Sequence, residues 1–191
     1  MIVLTGSIAT GKSSTCRLLE SIGYTVIDAD KIAKELIDAK MIETLFGSNF
    51  IKKGKIDRKA LGSLVFGNLK QREKLNSYIH PLIREEIGKR VDKLKNSHSK
   101  FIVDIPLYFE SKNYDASLVC VVYCPKSKQL KRLIKREGLT QSEALKRIES
   151  QMSIEEKRQK ADFVINNSKD KKHLWEETKK FTRYLDANFK I

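Results

Sequence analysis

Gly6-Ser7-Ile8-Ala9-Thr10-Gly11-Lys12-Ser13 decides the fold. It is a complete G-x-x-x-x-G-K-[ST] run, and its flanks are those its chemistry requires. Before it, Ile2-Val3-Leu4-Thr5 is a short apolar, partly β-branched stretch that predicts a buried strand running into a loop. From Lys12 the pattern turns helical, with Thr15, Leu18, Leu19 and Ile22 on one face and Gly23 as the stop. Glycines let such a loop fold so that successive backbone N–H groups converge on phosphate oxygens, and the helix adds its positive N-terminal end. The Lys12 ammonium can reach the β- and γ-phosphates of a nucleotide, and the Ser13 hydroxyl can join a Mg²⁺ shell. This reading takes Gly6, Ala9, Thr10, Gly11, Lys12, Ser13 and Ser14 as the nucleotide contacts.

Four more strands follow outward from the loop. They are Tyr24 to Ile27 ending at Asp28, Phe101 to Val103 ending at Asp104, Leu118 to Tyr123, and Phe163 to Ile165. Leu118 to Tyr123 is apolar at every position, as a strand covered on both faces must be. Short apolar strands separated by helical segments predict an α/β fold with a five-stranded parallel sheet. A lysine-rich helical insertion separates the second and third strands, with short strand-like segments near Ile51. Thr140-Gln141-Ser142-Glu143 and Ser153-Ile154-Glu155-Glu156 both fit the capping box and place a helical hairpin at 130–160, a candidate lid. A last helix runs from Lys171 to Phe189, with Leu174, Thr178, Phe181 and Leu185 on one face and Trp175 read as packing.

The 191 residues suffice for one well-packed domain with insertions. A formal charge of +14 suits a phosphate-rich partner, whether polynucleotide, acidic membrane surface or small anion, and does not choose among them. Cys16, Cys120 and Cys124 are odd in number and lack a CxxC pair, and the three histidines do not stand at zinc-ligand spacing, so a disulfide scaffold or zinc site is not expected. The opening residues show neither a basic leader nor a long apolar segment, which predicts a reduced, cytoplasmic protein.

Several side chains are placed to do chemistry. Asp28 and Asp30 lie two apart at the end of the second strand and are expected to share a side, toward the crevice where α/β sheets bind ligands. One of them could accept a proton from a hydroxyl; Asp30 is also placed to cap a helix starting at Lys31. Asp104 ends a hydrophobic strand as a carboxylate orienting Mg²⁺-bound water would, or caps the next loop. Arg132 and Arg136 are expected on one polar helix face, where guanidinium groups can meet the charge that builds on a transferring phosphoryl group. Lys128, Lys131 and Lys135 read as a solvated face. Arg147 and Gln151 repeat the four-residue spacing and either reach the nucleotide or brace the hairpin. His80 precedes Pro81, which predicts an extended backbone at a helix boundary.

Taken together these residues resemble the dephospho-coenzyme A kinase family over nearly the whole chain. The resemblance is carried by Leu4-Thr5-Gly6 into the loop, Val26-Ile27-Asp28-Ala29-Asp30-Lys31-Ile32-Ala33, Leu45-Phe46-Gly47, Ile56 to Leu61, Phe66 and His80-Pro81-Leu82-Ile83. It continues through Asp104 to Glu110, Gln129 to Arg132, Arg136, Arg147, Gln151, Lys157 and Ala161 to Asn167. It implies transfer of the ATP γ-phosphoryl group to the ribose 3′-hydroxyl of dephospho-coenzyme A, with Mg²⁺ as cofactor and no nucleic-acid or membrane partner. Asp30, Lys12 and Arg136 would be catalytic; Asp30, His80, Leu107 and Arg132 would bind the acceptor; Ser13, with Asp104 through water, would hold the metal. The implied organisation is a nucleotide-binding core at 1–29, 100–129 and 161–191, a coenzyme-binding insertion at 30–99 and a lid at 130–160. The family loop usually carries glycine, glycine and serine where Ser7, Ala9 and Thr10 stand here, so Ser7 and Ala9 put side chains where the backbone can require positive φ. The competing readings are a nucleoside monophosphate kinase of the same fold and, on charge alone, a nucleic-acid-binding ATPase. The first is not expected to combine Asp28-Ala29-Asp30 with His80-Pro81. The second lacks a basic stripe interleaved with aromatics.

Overall fold

The structure is a computed structural model that describes residues 1–111 and 113–189. Residue 112 and positions 190–191 of the predicted core lie outside the described residues, as does the Phe66 side chain. The elements are β1 (Ile2–Gly6), α1 (Lys12–Ser21), β2 (Thr25–Asp28), α2 (Ala29–Leu36), α3 (Ala39–Phe46), β3 (Ile51–Lys52), β4 (Lys55–Ile56), α4 (Arg58–Gly67) and α5 (Leu69–Asn96). They continue with β5 (Phe101–Asp104), α6 (Tyr108–Ser111), β6 (Leu118–Tyr123), α7 (Lys126–Glu137), α8 (Gln141–Glu149), α9 (Ile154–Gln159), β7 (Phe163–Asn166) and α10 (Lys171–Asn188). The chain divides into two compact units, Met1–Asp28 with Arg90–Ile191, and Ala29–Lys89.

The first unit is built on a parallel sheet of order β2-β5-β1-β6-β7. β1 is central, and successive connections leave it toward opposite edges, so a topological switch point lies at its carboxyl end. Alternation along β6 explains its unbroken apolar run. Leu118, Cys120 and Val122 join Ile2, Leu4, Leu19 and Ile165 in a core closed by Leu174, Phe181 and Leu185 of α10. Val121 and Tyr123 face the other way, packing with Ile154 of α9 and with Phe109 and Val164. Both faces of the sheet are therefore covered, the condition under which a parallel sheet is stable.

Both expected capping boxes are present: Thr140 and Glu143 close the start of α8, and Ser153 and Glu156 that of α9. Leu133, Ala144 and Ile148 form the hairpin's own small core, with Ile8 and Ala9 of the loop packed against it. The loop is thus held by side-chain burial as well as by its glycines.

The Ala29–Lys89 unit is helical apart from the β3–β4 ribbon, where Ile51 pairs with Ile56 across a two-residue turn at Lys53-Gly54. Both turn residues have positive φ, the geometry that suits the twist of a tight hairpin. Asp38 and Asp57 cap α3 and α4 by accepting from the N–H groups of Met41 and Ala60 at 2.7 and 3.0 Å. Pro81 corrects the expectation at His80: it lies inside α5, and His80 is helical, not extended. The lost hydrogen bond is tolerated because Ile79, Ile83 and Ile87 form a buried stripe that holds the helix together through this stretch.

Candidate active site

The site starts where β1 ends. Gly6 has no room for a side chain, since a Cβ there would lie 2.8 Å from Thr10 Oγ1 and 2.9 Å from the Val122 carbonyl oxygen. Gly11 has φ +101°, and its Cβ would come within 2.0 Å of Asn167 Nδ2. Ala9 sits at φ 60°, so the expectation of a strained position holds for Ala9; Ser7 is not among the positive-φ residues. A left-handed non-glycine residue costs about 1–2 kcal/mol, part of which a glycine would return to the unfolded chain as entropy. Ala9→Gly is therefore expected to stabilise the fold by about 0.5–1 kcal/mol, read as a higher denaturant midpoint with an unchanged slope.

The loop's carbonyls are tied down behind it. The Thr10 carbonyl accepts from Asn167 Nδ2 at 2.7 Å and Arg132 Nη1 at 3.2 Å, and Arg132 Nη2 donates to the Asn167 carbonyl at 3.0 Å. In a trans peptide the N–H points opposite to the C=O, so these bonds turn the Gly11 N–H the other way. Lys12 and Ser13 follow as the first residues of α1, whose N-cap Gly11 contributes no side-chain bond. Their N–H groups have no intrahelical acceptor, and together with the helix's positive end they could hold an anion. Ser14 is already used in part: its N–H bonds the Gly11 carbonyl at 2.9 Å, and its hydroxyl accepts from Arg17 at 3.4 Å.

Lys12 Nζ lies 2.6 and 2.5 Å from the two carboxylate oxygens of Asp104. Asp104 ends β5 beside β1, in register with Leu4 on one side and Asp28 on the other. The Cys16 thiol also donates to it at 3.4 Å. Burial pushes the Asp104 carboxyl above its ordinary range, with Lys12 the main opposing influence. Ser13 is exposed at the start of α1. An exposed hydroxyl and carboxylates at neighbouring strand ends are oxygen donors of the kind Mg²⁺ takes, so the residues fit that ion. Among the described residues no group of three or more His, Cys, Asp or Glu is arranged to hold a metal.

Asp30 departs from expectation in its local structure. The strand ends at Asp28 and α2 begins at Ala29, so Asp30 lies in the first helical turn. The two-residue strand alternation therefore does not relate it to Asp28, and it is not a cap for a helix starting at Lys31. Arg132 and Arg136 also part company. Arg132 turns inward to the loop and Asn167, whereas Arg136 is exposed and pairs with Glu137 at 2.6 Å. Arg147 pairs with the other oxygen of Glu137. Lys128 donates to the Ser168 carbonyl instead of standing in solvent, while Lys131 and Lys135 are exposed as read. Leu107 is 45% exposed just past the end of β5. His80 is half-buried on α5, with its imidazole pKa lowered by burial and by Arg84.

Two further side chains, Gln151 and Lys157, meet the loop. Gln151 Oε1 accepts from the Ile8 N–H at 2.9 Å, which settles that side chain as a brace. The fully buried Lys157 donates to the Gly6 carbonyl at 3.3 Å and pairs with Glu110 at 2.8 Å. The only sequence signal for Lys157 and Glu110 is their membership in the motif runs.

A glycine loop leaving the central strand of a five-stranded parallel sheet, backed by a carboxylate on the neighbouring strand, defines a P-loop kinase. The dephospho-CoA kinase (CoaE) family model matches residues 1–173. The chain belongs to the dephospho-CoA kinase family. It is 44% identical over 190 residues to the dephospho-CoA kinase of Sulfurimonas denitrificans, covering 98% of this chain and 95% of that one. The solved dephospho-CoA kinase of Campylobacter jejuni superposes with a TM-score of 0.73 at 36% identity, covering 97% and 96% of the two chains. A Thermus thermophilus protein, TT1252, gives 0.83 at 30% identity over 96% and 95%. Among the described residues no helix is long and apolar enough to cross a membrane.

Proposed function

We infer that this chain phosphorylates the ribose 3′-hydroxyl of dephospho-coenzyme A with ATP, releasing ADP and coenzyme A. The observation that carries this reading is the family match over residues 1–173, joined to a complete phosphate loop. ATP sits with its phosphates on the N–H groups at the start of α1. Lys12 exchanges Asp104 for the β- and γ-phosphates, a trade of one anionic partner for another. Ser13, with Asp104 through water, would hold Mg²⁺, which would supply charge neutralisation at the same phosphates. The Ala29–Lys89 unit binds the acceptor, with Asp30 and His80 among its contacts, and Leu107 adds an apolar contact. Asp30 takes the hydroxyl proton as the new O–P bond forms and the bond to the β-phosphate oxygen breaks. Positioning and charge stabilisation supply the rest of the rate.

Arg132 belongs with the nucleotide half in this scheme, as a brace of the loop. The lid is the 130–160 hairpin, and its moving part is the tip beyond Arg132 and Gln151. Closure brings Arg136 from Glu137 onto the γ-phosphate and excludes water. Arg136→Ala is expected to lower kcat by ~10²–10³-fold, the weight of one charged donor to a transition state, with no change in melting temperature. Unchanged turnover would remove Arg136 from the chemistry.

The enzyme works in the cytoplasm on small molecules, without a nucleic-acid or membrane partner. The test is ADP release with Mg²⁺-ATP and dephospho-coenzyme A, product mass being checked, with AMP, other nucleoside monophosphates and RNA in parallel. A 3′-phosphorylated product from dephospho-coenzyme A alone is expected. Turnover with a nucleoside monophosphate only, or ATP hydrolysis stimulated only by RNA, would overturn the acceptor.

A further inference from the structure

Lys157 is a fully buried lysine in α9. Burying an ammonium is costly unless it is paired, and a buried ion pair is often no more stabilising than an apolar pair of the same shape. The arrangement around Lys157 therefore calls for a reason other than stability. Its Nζ contacts two groups, Glu110 Oε1 at 2.8 Å and the carbonyl oxygen of Gly6 at 3.3 Å. Glu110 is in α6, and the same Oε1 accepts from the Met152 N–H at 3.0 Å. Met152 in turn accepts from the Ser7 hydroxyl at 3.3 Å, and its neighbour Gln151 accepts from the Ile8 N–H at 2.9 Å. One ion pair thus holds three consecutive loop residues: Gly6 directly, Ser7 and Ile8 through the 151–152 segment. It fixes the plane of the peptide by which the chain leaves β1, where the absence of room at Gly6 allows little adjustment.

We propose that Lys157 and Glu110 are a positioning pair that sets the phosphate loop in its nucleotide-binding geometry and registers it against the lid hairpin. Neither group touches the reacting atoms. The pair acts on how well the triphosphate is held, so its loss is felt in ATP affinity first and in turnover at saturation least. This rests on the reading of the loop as the ATP site, and the readout is nucleotide binding itself, independent of the acceptor.

The experiment compares Lys157→Met, Glu110→Gln and the double variant by titration calorimetry with Mg²⁺-ATP, thermal melting and steady-state kinetics. Lys157→Met leaves the half-buried Glu110 carboxylate without its cation, and it is expected to lower the melting temperature. The double variant removes both charges, keeps an acceptor for the Met152 N–H and recovers most of that loss. ATP affinity does not recover: Kd and KM for ATP are expected to stay raised about tenfold in the double variant, the weight of one charge-assisted hydrogen bond, with kcat within about threefold. A double variant that regains both stability and wild-type ATP affinity would show the pair to be structural only, and overturn the proposal. If Lys157→Met does not fold, the double variant and Glu110→Gln decide the matter. Raised ATP Kd in a protein that fails to phosphorylate dephospho-coenzyme A would leave this inference standing and remove the acceptor assignment.

Discussion

Asp30→Asn is expected to lower kcat with dephospho-coenzyme A by ~10²–10⁴-fold while KM for ATP stays within about twofold, the signature of a lost general base. Asparagine keeps the size of the side chain and one oxygen acceptor but removes its basicity. The same change also removes a negative charge from the first turn of α2, where an acid is favourable. That effect is on stability and is small, about 0.3–1 kcal/mol. Kinetics and melting therefore separate the two roles. A variant that turns over at the wild-type rate but melts lower leaves Asp30 as a helix-end acid only, and the proton must then go elsewhere.

Lys12→Ala is expected to reduce kcat/KM by ~10²–10³-fold, because a charge aimed at the transferring phosphates is lost. It has a second consequence that turnover does not report. Burial raises the Asp104 carboxyl above its unfolded value of 3.8, and Lys12 is the leading influence in the other direction. Without the ammonium, the folded value rises further. An acid raised by folding penalises its ionised form, and the penalty is absent below the unfolded value. It grows as pH rises toward the folded value and is complete above it. The melting deficit of Lys12→Ala relative to the wild type is thus expected to widen as pH rises above the unfolded value of 3.8. A deficit independent of pH would mean that Asp104 carries no ionisation cost in the fold.

Periodicity made the sheet legible. The continuous apolar run of β6 and the capping boxes at Thr140 and Ser153 are local patterns, and local patterns fix local elements. The glycine loop was legible for the same reason, since it announces itself within eight residues. Pro81 misled because a local preference, the extended bias before proline, lost to burial of Ile79, Ile83 and Ile87 on one helix stripe. Arg132 was assigned by its helix face, yet it bonds a carbonyl 122 residues away. Lys157 reaches across 151 residues. Where a long side chain ends depends on the packing of distant elements, and no spacing rule within a helix encodes that. Asp30 differs from the strand pattern for the opposite reason: alternation ends with β2 at Asp28, and α2 begins at Ala29, before Asp30 is reached.

The central place of β1 matters for how the chain comes to exist at all. Its partners in the sheet are β5 and β6, with Val3 facing Val103 and Ile2 facing Leu118. During synthesis β1 therefore leaves the ribosome well before either of its partners. Until β5 and β6 emerge, an apolar strand of five residues waits with both edges open. The Ala29–Lys89 unit is made in that interval and is free to form from its own local contacts, whereas the phosphate loop has no support on which to take shape. Truncated nascent chains ending before β6 are expected to be aggregation-prone for this reason, and the phosphate loop is expected to take shape only after β5 and β6 have emerged.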